Sequence, residues 1–268
     1  MKVYISADIE GIAGITHWDE ATPGHGDYPQ LQTRMTTHVA AACEGALAAG
    51  ATEILVKDAH ASGRNLLFDR LPRQVQLVRG WSEHPLQMVQ ELDSSFAALA
   101  LVGYHAGAGS GGNPLAHTLS SSRISLMLVN GMPVSEFHLF GWAAGQLGVP
   151  VALVSGDEAL CQSVREISPH ITTVPVTRGV GGSSISVHPQ VAEAELRRGM
   201  EQALGGELGL CRVEPPDRPV LELHYRTAAQ AHKASFYPGA ELVEARTVRL
   251  AVAEYMEILR ALVFLASL

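Results

Sequence analysis

Cysteine is scarce in this chain: Cys43, Cys161 and Cys211 are odd in number, far apart and without metal-type spacing. That excludes a disulfide framework and fits a reducing compartment. Basic charge is also short, with 19 Lys and Arg against 27 Asp and Glu and a net charge of -8. An acidic field disfavours nucleic acid and anionic membranes, and no basic patch with interleaved aromatics offsets it, so neither is expected as a partner. No apolar run is long enough to cross a bilayer, because Glu254, Glu257 and Arg260 interrupt the most apolar stretch, residues 250–268. The first strand-like segment reaches Asp8 almost at once, leaving no room for the apolar core of a signal peptide; the expected location is cytoplasmic. Repeats, low-complexity segments and a phosphate-cradling P-loop pattern are missing as well.

What is present is apolar material for a large core, 47% of 268 residues. Residues 3–7 read as a strand, residues 31–49 as a helix with Met35, Val39, Cys43 and Leu47 on one face, and residues 53–57 as a second strand. Such a βαβ unit implies a parallel pair with a right-handed crossover. The patterns next predict a helix over residues 85–92, a strand ending at Val102, a glycine-rich loop between Ala106 and Pro114, and a hairpin turning at Asn130-Gly131. A helix with Glu136 near its start, strands over residues 150–154 and 172–176, a Gly/Ser loop over residues 179–186 and a helix over residues 190–204 follow. Beyond the proline-rich residues 215–219, the expected order is strand 220–225, helix 228–234, strand 242–248 and a terminal helix. The expected fold class is α/β, three-layer, a mostly parallel sheet with helices on both faces plus a smaller C-terminal α+β portion. Residues 1–214 form the larger unit in this reading and residues 215–268 the smaller portion packed on it.

Three apolar strand-like segments run straight into metal-ligand side chains: residues 3–7 into Asp8 and Glu10, residues 54–56 into Asp58 and His60, and residues 99–102 into His105. In α/β proteins ligands collect beyond the carboxyl ends of strands, and a mixed Asp/Glu/His set suits hydrolytic zinc. Blander readings stay open for each: solvated acids in a loop for Asp8 and Glu10, a satisfied core imidazole for His105, and a helix cap for Glu136. His117 follows the glycine loop and has no strand end of its own, which suits a side chain that approaches substrate. Asp157 and Glu158 close a fourth acidic strand end, as amine holders or as helix caps. Asp8, Glu10 and Glu136 would set three negative charges against four on two zinc ions, and the five ligands would overfill a single zinc. The residual positive charge would lower the pKa of a bound water and supply hydroxide near neutral pH.

The run 6–14 (Ser-Ala-Asp-Ile-Glu-Gly-Ile-Ala-Gly), then Asp58-Ala59-His60, Gly103-Tyr104-His105-Ala106, Ala116-His117-Thr118, and Asn130-Gly131 leading to Glu136 resemble the zinc D-aminopeptidases of the DppA type. Further echoes at residues 148–151, 155–157, 215–219 and 237–239 extend the resemblance over nearly the whole chain. It implies a di-zinc site of Asp8, Glu10, His60, His105 and Glu136, with His117 as the catalytic residue and Asp58 orienting His60 or another ligand. It also implies a cytoplasmic homodecamer of two pentameric rings. The activity it implies is removal of an N-terminal residue, D-alanine-like, from short peptides by a metal-bound hydroxide. Alternative readings are an aminopeptidase for β-amino-acid peptides, a metal-dependent phosphoesterase, and a non-catalytic protein in which metal only stabilises the fold.

Overall fold

The computed structural model describes residues 1–267. Its centre is a seven-stranded sheet in the order β3-β2-β1-β4-β7-β8-β9. These strands are β1 (Lys2–Ala7), β2 (Glu53–Asp58), β3 (Val75–Val78), β4 (Ala98–Tyr104), β7 (Val151–Asp157), β8 (Thr172–Val180) and β9 (Ser183–Ser186). All pair in parallel except β9, which folds back on β8. The chain moves from β1 through β2 to β3 on one side and returns to place β4 on the other. A crevice therefore opens at the carboxyl ends around β1, as at the switch point of a doubly wound sheet.

The sheet is covered on both faces, which is why its strands read as continuous apolar runs. Val3, Ile5 and Ala7 of β1 face one core, shared with α2 (Tyr28–Ala48) and α5 (Pro189–Leu204). Tyr4 of the same strand faces the other, shared with α3 (Glu136–Gln146), α4 (Glu158–Ile167) and α7 (Tyr255–Leu265). Alternation along the strand assigns successive side chains to opposite layers. Full burial of each such aliphatic side chain is worth roughly 1.5–3 kcal/mol. A buried polar side chain of α2 lacks partners: both ring nitrogens of His38 are buried without a hydrogen bond, and burial next to Arg34 pushes its imidazole down to about 3.

A second, five-stranded antiparallel sheet runs β11-β12-β10-β5-β6. It combines β5 (Ile124–Val129) and β6 (Met132–Pro133) with β10 (Val220–Tyr225), β11 (Ala240–Glu244) and β12 (Thr247–Ala251). The hairpin expected at Asn130-Gly131 is present, with φ of 51° and 78° at the two turn residues, the left-handed pair that a tight hairpin requires. Asn130 Oδ1 also accepts from Val220 N at 2.7 Å, tying the turn to β10. The remaining helices are α1 (Trp18–Ala21) and α6 (Ala228–Ala234), and no helix among the described residues is long and apolar enough to cross a membrane.

Three local expectations are corrected. Residues 85–92 are not a helix but a loop with one 3-10 turn at Gln87–Val89, because the left-handed backbone at Gln87 and Glu91 interrupts any helix there. The stretch 242–248 is not one strand but the end of β11, a turn and the start of β12. Residues 179–186 are a β8–β9 hairpin rather than a loop.

Candidate metal centre

Three neighbouring strand ends deliver the first four side chains. β1 stops at Ala7, and the next turn is fixed by Asp8 N donating to Val102 O and Gly11 N to Gly103 O, both at 2.8 Å. β2 delivers His60 through the link Ala59 N to Ala7 O. β4 ends at Tyr104, whose carbonyl is pressed between two glycines: a Cβ on Gly11 would lie 1.7 Å from that oxygen and one on Gly156 1.9 Å. Only residues without a side chain fit there, and His105 follows directly. Glu136 arrives from the second sheet, as the first residue of α3 after the β5–β6 hairpin.

These residues come together in two groups, Asp8 with Glu10 and His60, and His105 with His117 and Glu136. Asp8 divides its carboxylate between them: Oδ1 lies 3.3 Å from His60 Nδ1, and Oδ2 lies 3.5 Å from His105 Nε2. Glu10 Oε2 is 3.0 Å from His60 Nδ1, Glu136 Oε2 is 3.3 Å from His105 Nε2, and Glu136 Oε1 is 3.9 Å from His117 Nε2. All but His117 are almost completely buried.

Each imidazole is oriented by its other nitrogen. His60 Nε2 donates to Ala21 O at 2.8 Å, His105 Nδ1 to Ala106 O at 3.0 Å and His117 Nδ1 to Leu115 O at 2.9 Å. The backbone carbonyls fix the tautomer and leave three ring nitrogens directed at the carboxylates, the arrangement that metal-ligating histidines use. Glu10 Oε2, His105 Nε2 and Glu136 Oε2 are buried with no hydrogen-bond partner. Orphaned buried acceptors of this kind are costly unless a cation completes them. The residues present therefore fit divalent metal, and the N/O donor set fits zinc.

The electrostatics show how strongly the site demands positive charge. Burial, with Glu10 alongside, pushes the Asp8 carboxyl well above its usual range. Burial opposes ionisation of Glu10 too, but His60 outweighs it and holds that carboxyl well below the usual range. Burial likewise opposes charge on His60 and His105, yet the carboxylates hold both imidazoles well above their ordinary value. His117 differs: burial and the neighbouring His105 hold its imidazole low. Its ring stacks on His105 at 4.3 Å between centroids with 11° between planes, and Trp18 meets its edge at 5.3 Å.

A cleft of about 390 Å³ opens from these residues. Trp18, Trp81, Leu119 and Leu262 give it apolar walls, and the turn at Ser120–Ser122 gives it a polar one. Arg226 pins that turn from the second sheet, its Nε donating to Ser121 O at 2.6 Å. Trp81 is held by Lys57 Nζ, 3.9 Å from its ring centre, and donates from Nε1 to Ala61 O at 2.7 Å. Sequence alone did not single out Trp81 or the supporting amides Asn65 and Asn113; isolated Trp and Asn residues carry no spacing signal.

Asp58 does not touch the His60 ring. It accepts from Asn65 N, Asn65 Nδ2 and Leu66 N, and Asn65 Nδ2 in turn donates to His60 O at 2.7 Å, so Asp58 shapes the loop that carries His60. Asp157 is buried and accepts from Ala106 N, Asn113 Nδ2 and Leu160 N, which makes it a helix cap and a brace for His105 rather than an amine holder. Glu158 is exposed and pairs with Arg178 at 3.6 Å.

Known proteins with the same frame narrow the chemistry. D-aminopeptidase of Bacillus subtilis (strain 168) is 30% identical over 270 residues, covering 100% of this chain and 97% of the relative. The solved structure of the Zn-dependent D-aminopeptidase DppA from Bacillus subtilis, described as a self-compartmentalizing protease, is similar with a TM-score of 0.94 and 29% identity, covering 100% of this chain and 97% of that one. The family model described as D-aminopeptidase matches residues 1–264, a span that holds every strand end and both donor groups, and the chain belongs to the D-aminopeptidase family.

Proposed function

We propose that this chain is a di-zinc aminopeptidase that releases an N-terminal D-residue, D-alanine in type, from short peptides. The observation that carries the reading is the division of the Asp8 carboxylate between two separate donor groups, which supports two ions sharing one bridging ligand. Asp8, Glu10 and His60 would hold one zinc, and Asp8, His105 and Glu136 the other. When bound, zinc acidifies water and polarises a carbonyl.

The remaining steps belong to side chains of the chain itself. His117 carries its fixed N–H on Nδ1, toward Leu115 O, so Nε2 is the atom that takes up a proton and passes it to the leaving amine. Glu136 Oε1 accepts from Leu119 N at 2.7 Å, which holds the cleft wall against the ligand set. Trp18 shields the edge of His117 from solvent. A phosphoester substrate is disfavoured because no lysine or arginine lines the cleft among the described residues. Assembly as a homodecamer of two pentameric rings in the cytoplasm belongs to the same proposal. It is supported by the self-compartmentalizing relative and by exposed apolar side chains such as Phe236, Phe264 and Ile185.

The test is hydrolysis of matched D-, L- and β-alanyl dipeptides by metal-quantified enzyme. D-alanine release with two zinc ions per chain is expected, and preference for the β-alanyl substrate would change the substrate class while keeping the mechanism. His117→Ala should retain zinc and lose roughly 10²–10⁴-fold in kcat. Loss of zinc from that variant would make His117 a ligand instead.

A further inference from the structure

Three residues of the loop between β3 and β4 take a backbone conformation that L-residues rarely adopt. Glu83, Gln87 and Glu91 have φ of 60°, 41° and 69°. Such residues persist only where their surroundings force them, and they concentrate at ligand contacts. Contacts fix the loop both from β1, whose end at Ala7 leads into Asp8, and from within the loop itself. Ser6 Oγ donates to Met88 O at 2.6 Å, Tyr4 Oη donates to Gln90 O, and Ser82 N donates to Gln90 Oε1 at 3.1 Å. The loop is thereby clamped to β1, and Gln87 lies on the wall of the same cleft that contains Asp8 and Glu10.

Gln87 combines two unfavourable features. Besides its left-handed backbone, its Nε2 is buried and has no acceptor. A buried donor without a partner is a free-energy loss that natural structures rarely carry without use. Neither lysine nor arginine lines the cleft among the described residues, and the indole N–H of Trp81 is already engaged by Ala61 O, so the donors left for a substrate oxygen are Gln87, His84 and the hydroxyls of Ser120–Ser122. On the proposed reading, the amine and scissile carbonyl of the substrate sit at the metal centre. The first acceptor beyond them is then the main-chain oxygen of the residue on the leaving side, a carboxylate in a dipeptide and an amide carbonyl in anything longer.

We infer that Gln87 is a substrate-binding residue whose Nε2 donates to that oxygen. It rests on the aminopeptidase reading and adds to it the group that recognises the leaving residue. Gln87 selects substrates that carry a residue after the scissile bond over those that carry only an amide nitrogen.

Three substrates test it: D-alanyl-glycine, with a carboxylate at the recognised position; D-alanyl-glycinamide, with a carbonyl; and D-alaninamide, with neither. The zinc-loaded wild type and the variants Gln87→Met and Gln87→Glu are compared by the ratio of kcat/KM on each glycyl substrate to that on D-alaninamide. In Gln87→Met the ratio should fall about fivefold for the carbonyl substrate and tens of fold for the carboxylate substrate, as expected for a neutral and a charge-assisted hydrogen bond. In Gln87→Glu it should fall further for the carboxylate than for the carbonyl substrate, through like-charge repulsion. Ratios that stay constant while all rates fall together would assign Gln87 a purely structural role and overturn the inference. Should Gln87→Met fail to fold, the two glycyl ratios of Gln87→Glu decide. A wild type inactive on all three substrates would instead overturn the aminopeptidase reading itself.

Discussion

The seven-stranded sheet delivers Asp8, Glu10, His60 and His105 from three adjacent strand ends, while the five-stranded sheet delivers Glu136 through a hairpin and the first turn of α3. The first set needs no long-range arrangement beyond parallel pairing, since β2, β1 and β4 lie side by side and their ends converge by topology. Glu136 depends on how one sheet packs on the other. The large sheet thus supplies most of the candidate metal pocket, and the small sheet sets alignment, both of Glu136 and of the Ser120–Ser122 turn that Arg226 holds.

On that division, the largest effect comes from the residue at its centre. Asp8→Ala should lose zinc and lower kcat/KM by well over about a hundredfold, because even outer residues of metal sites are worth 10–100-fold. Full zinc occupancy with near-normal turnover would break the comparison, since the large sheet would then not be what holds the metal. Next in size is a stability effect in the helical layer over the large sheet. His38 holds its imidazole neutral down to about 3 in the folded protein, whereas the unfolded chain takes up a proton near 6.5. Folding stability is therefore fully present above about pH 6.5 and declines as pH falls toward 3, by about 2 kcal/mol at pH 5. Urea midpoints at pH 7 and pH 5 should differ less in His38→Leu than in the wild type; an unchanged difference would place the acid sensitivity elsewhere. The smallest effect is assigned to the small sheet. Arg226→Ala removes one side chain to backbone hydrogen bond and should raise KM only a few fold at full zinc content. Loss of metal from Arg226→Ala would show that the small sheet does more than align.

How much of this could be read before the fold was known follows the same division. The strand-end residues were legible because an apolar run followed at once by Asp, Glu or His is a local pattern, and parallel topology then brings the ends together. Glu136 looked like a helix cap, since nothing local reveals which sheet its hairpin packs against; only resemblance raised it to a ligand. The loop at residues 85–92 resembles a helix in sequence because Leu86, Met88, Val89 and Leu92 have helix-like spacing, while the left-handed backbone at Gln87 and Glu91 leaves no trace in composition. The β11–β12 turn was missed because it turns at Ala245-Arg246, without Gly, Pro or Asn to mark it.

The Tyr104 carbonyl between Gly11 and Gly156 has a consequence for how such a protein can diversify. Backbone there touches backbone, so saturation mutagenesis should find almost no tolerated change at either glycine, even though neither lines the cleft. The loop that carries Gln87 is tied to β1 through main-chain carbonyls at Met88 and Gln90, a tie that does not depend on which side chain stands at Gln87. New specificities can therefore arise by exchanging side chains along that wall while the frame that presents the candidate donors stays fixed.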